Sequence, residues 1–153
     1  MMIITELKTL YEIDPNQWLE ETIKLLKRNR LNELDLDNLI EELEALGRSE
    51  KNAVESVLEQ VIRHLLLLQY LSKESQYNQS HLKAEITGFR TQLKRKLTTN
   101  LYNHLLKELP SLYQDALAYI NQKTNLEVQF PPDSPYSLEE LLNINCFPEP
   151  END

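Results

Sequence analysis

From Leu34 to Tyr70 the sequence reads LDLDNLIEELEALGRSEKNAVESVLEQVIRHLLLLQY, with no proline and a single glycine, Gly47. So long a run of helix formers, apolar at three- and four-residue steps, specifies helix rather than strand. Leu36, Leu39, Ile40, Leu43 and Leu46 form one face of its first half; Asp37, Glu41 and Glu44 lie opposite, with Glu42 near the boundary. Beyond Gly47, Val54, Val57, Leu58, Val61, Ile62, Leu65, Leu66 and Leu68 begin as a stripe and become apolar nearly all round. A helix that loses its polar face is entering a core. Gly47 either ends a first helix, with Ser49 capping a second, or sits inside one helix at a cost of about 1 kcal/mol. Continuity or a mild kink is the expectation, because neither proline nor a polar loop follows.

The rest of the chain agrees with an all-helical fold. Only Gly47 and Gly88 occur in 153 residues, which argues against sandwiches, barrels and doubly wound sheets, whose tight turns need glycine. No GxGxxG or GxxxxGK[ST] loop is present. The lone Cys146 cannot form an internal disulfide and suits a reducing compartment. No signal segment is expected in Met1–Leu10, and Leu65–Leu68 is far shorter than the roughly 20 apolar residues of a membrane span. A cytoplasmic protein with no membrane contact is the expectation.

Asp14-Pro15 reads as a helix start, with Asp capping and Pro at the first position. Trp18, Leu19, Thr22, Ile23, Leu25 and Leu26 then define an amphipathic helix to about Arg28. Met1–Ile13 has apolar residues without a sustained period and reads as a short helical turn or an arm over 1–10. Asp35 is the next capping candidate. Ser72–Gln79 reads as a loop, after which Leu82, Ile86, Phe89, Leu93, Leu97, Leu101 and Leu105 predict one helix running to Leu109 and stopping at Pro110. A further helix carries Leu112, Ala116, Tyr119 and Ile120. Phe130-Pro131-Pro132 is extended linker. Ser137 with Glu140 opens a short last helix by a capping box, and Cys146-Phe147-Pro148 packs back as an apolar clasp before a frayed tail at 149–153. The expected architecture is an antiparallel helical bundle with two long central helices and a short C-terminal helix after a Pro-rich linker, forming one domain over 1–153.

Several stretches together, YEIDPNQWLEETIKLLKRNRLNELDLDNLIEELEALGRSE, VIRHLLLLQY, ELPSL, FPPDSPYSLEELL and CFPE, resemble a bacterial, largely cyanobacterial, helical family known only as a domain of unknown function, family twenty-nine. The resemblance spans about residues 11–148 and implies an all-helical fold with no assigned activity. That family commonly has Lys-Trp after the His-Leu-Leu of its third element and Ser-Trp-Arg near the start of its fourth. Here those places read Leu67-Leu68 and Ser80-His81-Leu82, so two aromatic positions are missing.

Charge is unevenly spread within the net −9. Residues 31–60 carry nine acids and two bases, residues 81–108 six bases and two acids, and residues 126–153 seven acids and no base. Three readings follow. The leading one is a non-catalytic domain that binds a protein partner or itself, using the apolar Leu65 and Leu68 and the acidic Glu41, Glu42 and Glu44. The second is a metal-binding protein or metal-dependent enzyme in which Glu41 and Glu44 converge with an inward His64 from the next helix; no Glu-x-x-His pair supports it. The third is nucleic-acid binding along the basic strip Arg90, Lys94, Arg95 and Lys96, opposed by the acidic balance of the whole chain. The pairs His81/Glu85 and His104/Glu108 share helix faces at i, i+4 spacing and read as exposed pairs. No serine or cysteine sits in a nucleophile context, and no cofactor and no small-molecule substrate are expected.

Overall fold

Asp14 accepts a hydrogen bond from the Gln17 N–H at 3.1 Å, and Pro15 follows it as the first helical residue. In the computed structural model, which describes residues 3–71, 79–124 and 128–150, this start opens helix α2 (Pro15–Lys27). The remaining elements are α1 (Ile4–Ile13), a single 3-10 turn (Leu31–Glu33), α3 (Leu36–Tyr70), α4 (Gln79–Lys96), α5 (Thr99–Thr124) and α6 (Leu138–Leu142). No strand occurs among the described residues. The fold is all-α, and α3 runs unbroken through Gly47, as the periodicity predicts. The expected loop at 72–79 lies almost wholly outside the described residues.

The chain divides into two compact units, residues 1–49 and 50–153. In the first, the segment read as a short helical turn or an arm is the ten-residue helix α1, anchored by the buried Leu7. Leu7, Trp18, Thr22, Leu34 and Asp35 are its buried residues. Tyr11 meets Trp18 edge-on at 4.9 Å, and its hydroxyl donates to Glu42. The indole N–H of Trp18 donates to Asp35 Oδ2 at 3.2 Å, and Asn38 donates to the same oxygen at 2.7 Å. The carboxylate expected to cap α3 is thus held by two side chains, and its Oδ1 has no partner. Helix α2 ends where Asn29 turns left-handed (φ 57°); the Arg30 N–H reaches back to the Leu25 carbonyl at 2.9 Å. Asn tolerates that conformation better than most residues, which makes it a workable substitute for Gly at a helix end.

The second unit holds the main hydrophobic core, from Val54 to Leu141. Helix α4 runs back along α3, placing Phe89 edge-on to His64 at 5.1 Å. Helix α5 takes the direction of α3 again, pairing His104 with Glu55 and Tyr119 with Arg63. The helix boundary between them differs from the sequence expectation. The break falls at Leu97-Thr98, where Thr98 Oγ1 accepts from the Leu101 N–H at 3.2 Å, and Pro110 lies inside α5. Leu101, Leu105, Leu112, Tyr113, Ala116 and Ile120 keep one buried face continuous across the proline. Pro110 and Leu106 are exposed, so the carbonyl that the ring leaves unbonded can be hydrated. Packing therefore outweighs the missing hydrogen bond. The capping box at Ser137 and Glu140 forms as predicted, with bonds of 3.1 and 3.0 Å. The Pro-rich strap before it is tied down by the Tyr113 hydroxyl, which donates to the Pro131 carbonyl at 2.7 Å.

Candidate functional site

Each residue singled out in the sequence has a definite place. Glu41, Glu42 and Glu44 are exposed and lie on α3 within the first unit; His64 is half-buried on the same helix within the second. The expected convergence needed donors from facing helices, and α3 is one helix. Among the described residues no group of three or more His, Cys, Asp or Glu side chains is placed to hold a metal.

His64 Nδ1 is 2.7 Å from the Gln60 carbonyl. A carbonyl only accepts, so Nδ1 carries the proton and Nε2 presents a lone pair when the ring is neutral. Burial pushes its pKa below the ordinary 6.5, opposed by that backbone bond and by Glu85. A pH titration checks the consequence. As pH falls below about 6.5 the unfolded chain takes up a proton that folded His64 resists, so stability is lost toward acid and is fully present above that value. His64→Gln is expected to remove part of this loss in urea unfolding at pH 5.5 relative to pH 7.5; unchanged acid sensitivity would assign the effect elsewhere.

His81 lies 3.9 Å from Glu85, and both are exposed. His104 does not use Glu108; its Nε2 is 3.0 Å from Glu55 across the α3–α5 seam. The basic strip is shorter than its spacing suggests. Lys94, Arg95 and Lys96 are exposed at the end of α4, but Arg90 is buried on the core face. Its Nε donates to the Leu141 carbonyl at 2.7 Å and its Nη2 to the Glu140 carbonyl at 3.1 Å, while Phe147 lies over the guanidinium at 5.1 Å. Arg90 holds α6 and the clasp, and is no part of a phosphate-binding strip.

The apolar part of the expected interaction surface is also displaced. Leu65 and Leu68 are completely buried in the core of the second unit, because α4 and α5 supply the facing stripes. The exposed apolar surface lies on the first unit. Leu36, Ile40 and Leu43 on α3 are each more than half exposed, at i, i+4, i+7 spacing. Leu46 extends the stripe, and Leu19, Ile23 and Leu26 repeat the pattern on α2. Among the described residues, eleven of the fourteen large exposed hydrophobics lie within residues 1–49. Asp37, Glu41 and Glu44 each follow a stripe residue by one position and form an acidic row beside it. Sequence reasoning identified this leucine face but placed the apolar part of the interaction surface at Leu65 and Leu68.

No helix of the described residues is long and apolar enough to cross a membrane. A family model described as Domain of unknown function DUF29 matches residues 10–147. No match was found among curated proteins or solved structures.

Proposed function

The chain belongs to the DUF29 family, and from that premise we propose that it is a non-catalytic helical interaction domain whose docking surface is the first half of α3. The observation that supports this is the apolar stripe Leu36, Ile40 and Leu43 left uncovered on a helix whose second half is fully packed. A stripe at this spacing accepts the apolar edge of another helix. The acidic row of Asp37, Glu41 and Glu44 selects what flanks that edge. A second copy would set these carboxylates against their own kind, whereas an amphipathic helix with Lys or Arg beside its apolar edge would pair with them. The occupant is therefore a basic-flanked amphipathic helix of a partner protein.

Ile40→Glu with Leu43→Glu tests it. Both sites are exposed, so unfolding free energy is expected to change by less than about 0.5 kcal/mol per site. The unmutated protein should capture a stoichiometric partner carrying such a helix, with affinity falling as salt rises, and the double variant should not. A concentration-dependent dimer in light scattering, abolished by the same variant, would replace the partner by a second copy. A monomer that binds neither would end the proposal.

A further inference from the structure

The second unit contains a cleft of ≈ 200 Å³ lined by Gln60, Arg63, His64 and Leu67 of α3, His81 and Leu82 at the start of α4, and Tyr119 and Lys123 near the end of α5. The four α3 residues fall at i, i+3, i+4, i+7, one face of the helix. Two polar groups at this cleft, Lys123 and His64, have unused bonding capacity, and Arg63 stands beside them as a further cation. The Arg63 guanidinium stacks 3.6 Å from the Tyr119 ring centroid and pairs with Glu59, yet its Nε is buried with no hydrogen-bond partner. Lys123 Nζ is 3.4 Å from the Tyr119 hydroxyl, and no ion pair joins it to a carboxylate among the described residues. His64 spends its Nδ1 proton on Gln60, so its Nε2 can only accept.

These requirements are chemically specific. Lys123 is a charged donor and calls for anionic oxygen, with the Arg63 guanidinium adding positive charge beside it; His64 Nε2 is an acceptor and calls for a hydroxyl. One small group carries both kinds of oxygen: a singly or doubly charged phosphate that keeps a P–OH. We infer that this cleft is a binding site for hydrogen phosphate, either free or as the protonated head of a phosphomonoester. Leu67 and Leu82 supply apolar wall, which lowers the local dielectric and strengthens each charge-assisted bond. Burial keeps the His64 ring neutral near neutrality, the form that accepts a hydrogen bond from the ligand. The site is separate from the α3 stripe and stands or falls without it.

Titration of the full chain with inorganic phosphate at pH 7.5 and constant ionic strength, followed by the His64 ring signals in NMR, tests the assignment. A saturable shift is expected at His64 and not at His104, which is paired with Glu55. Sulfate, similar in size and charge but without a proton to donate, is expected to bind about tenfold more weakly, because it leaves His64 Nε2 facing a second acceptor. Lys123→Gln, on the surface and without effect on folding, is expected to weaken phosphate by about tenfold or more, and Lys107→Gln to leave it unchanged. Glycerol 3-phosphate in place of phosphate, compared at about pH 6, where about half of it keeps its P–OH, distinguishes the sources: tighter binding identifies a monoester, weaker binding the free ion. A linear, unsaturable response, equal affinity for sulfate, or an unaffected Lys123→Gln variant would each overturn the inference.

Discussion

Leu65→Ala is expected to lower the unfolding free energy by about 3 kcal/mol, whereas Leu43→Ala, twenty-two positions earlier on the same helix, should change it by less than about 0.5 kcal/mol. Both are leucines on an apolar stripe of α3. Leu65 is 1% exposed and packed within the core cluster, so truncation removes buried methyl groups and leaves a cavity that its neighbours fill only in part. Leu43 is 59% exposed, and truncation there removes little that was hidden from water. Set against a typical domain stability of about 5–15 kcal/mol, the first change is large. Urea unfolding followed by far-ultraviolet circular dichroism measures both. Equal costs at the two sites would mean that the Leu43 stripe is covered in solution, which is itself what a tight self-association would produce.

Arg90→Ala is expected to cost about 3 kcal/mol or more, the second of the two largest effects. Its Nε and Nη2 bond the carbonyls of Leu141 and Glu140 at the end of α6; of these, Glu140 also accepts from the Asn143 N–H at 3.3 Å. Bonds from a charged donor contribute about 1.5–3 kcal/mol each, and the aliphatic stem and the Phe147 contact are lost with them. Burial also depresses the guanidinium pKa below its ordinary value, although Arg stays charged in proteins. Arg90→Lys keeps the charge but not the fork that spans two carbonyls, so it should recover only part of the loss. Limited proteolysis gives an independent readout: cleavage within residues 128–150 should accelerate in Arg90→Ala. If Arg90→Ala costs no more than an exposed substitution, Arg90 belongs to a basic surface after all and the nucleic-acid reading regains its fourth cation.

Local rules read directly from the sequence account for much of this molecule. Asp14-Pro15 and Ser137 with Glu140 cap their helices as expected, because a cap depends only on residues within one turn of it. The 3.6-residue period continues on both sides of Gly47, and the competing stop, Gly47 left-handed with Ser49 as cap, is not taken. Pro110 is where local reasoning failed. The cost of an interior proline is real, but six buried residues on one face of α5 outweigh it, while Thr98 supplies a cap that ends α4 earlier. Arg90 failed for a related reason. Its spacing from Lys94 suggested one cationic face, yet it also lies four residues after Ile86 on the buried side, and only the arrival of α6 carbonyls makes burial of its charge tolerable.

The sequence by itself determined the helical class, most helix starts, and the two apolar stripes along α3. The loss of a polar face by Leu65–Leu68 already marked the second stripe as core; tertiary structure decided that the first stays on the surface. Periodicity records that a face is apolar, a property of one helix. Burial needs a second apolar face opposite the first, and α4 and α5 provide it for Leu65 and Leu68 while the first unit leaves Leu36, Ile40 and Leu43 open to solvent.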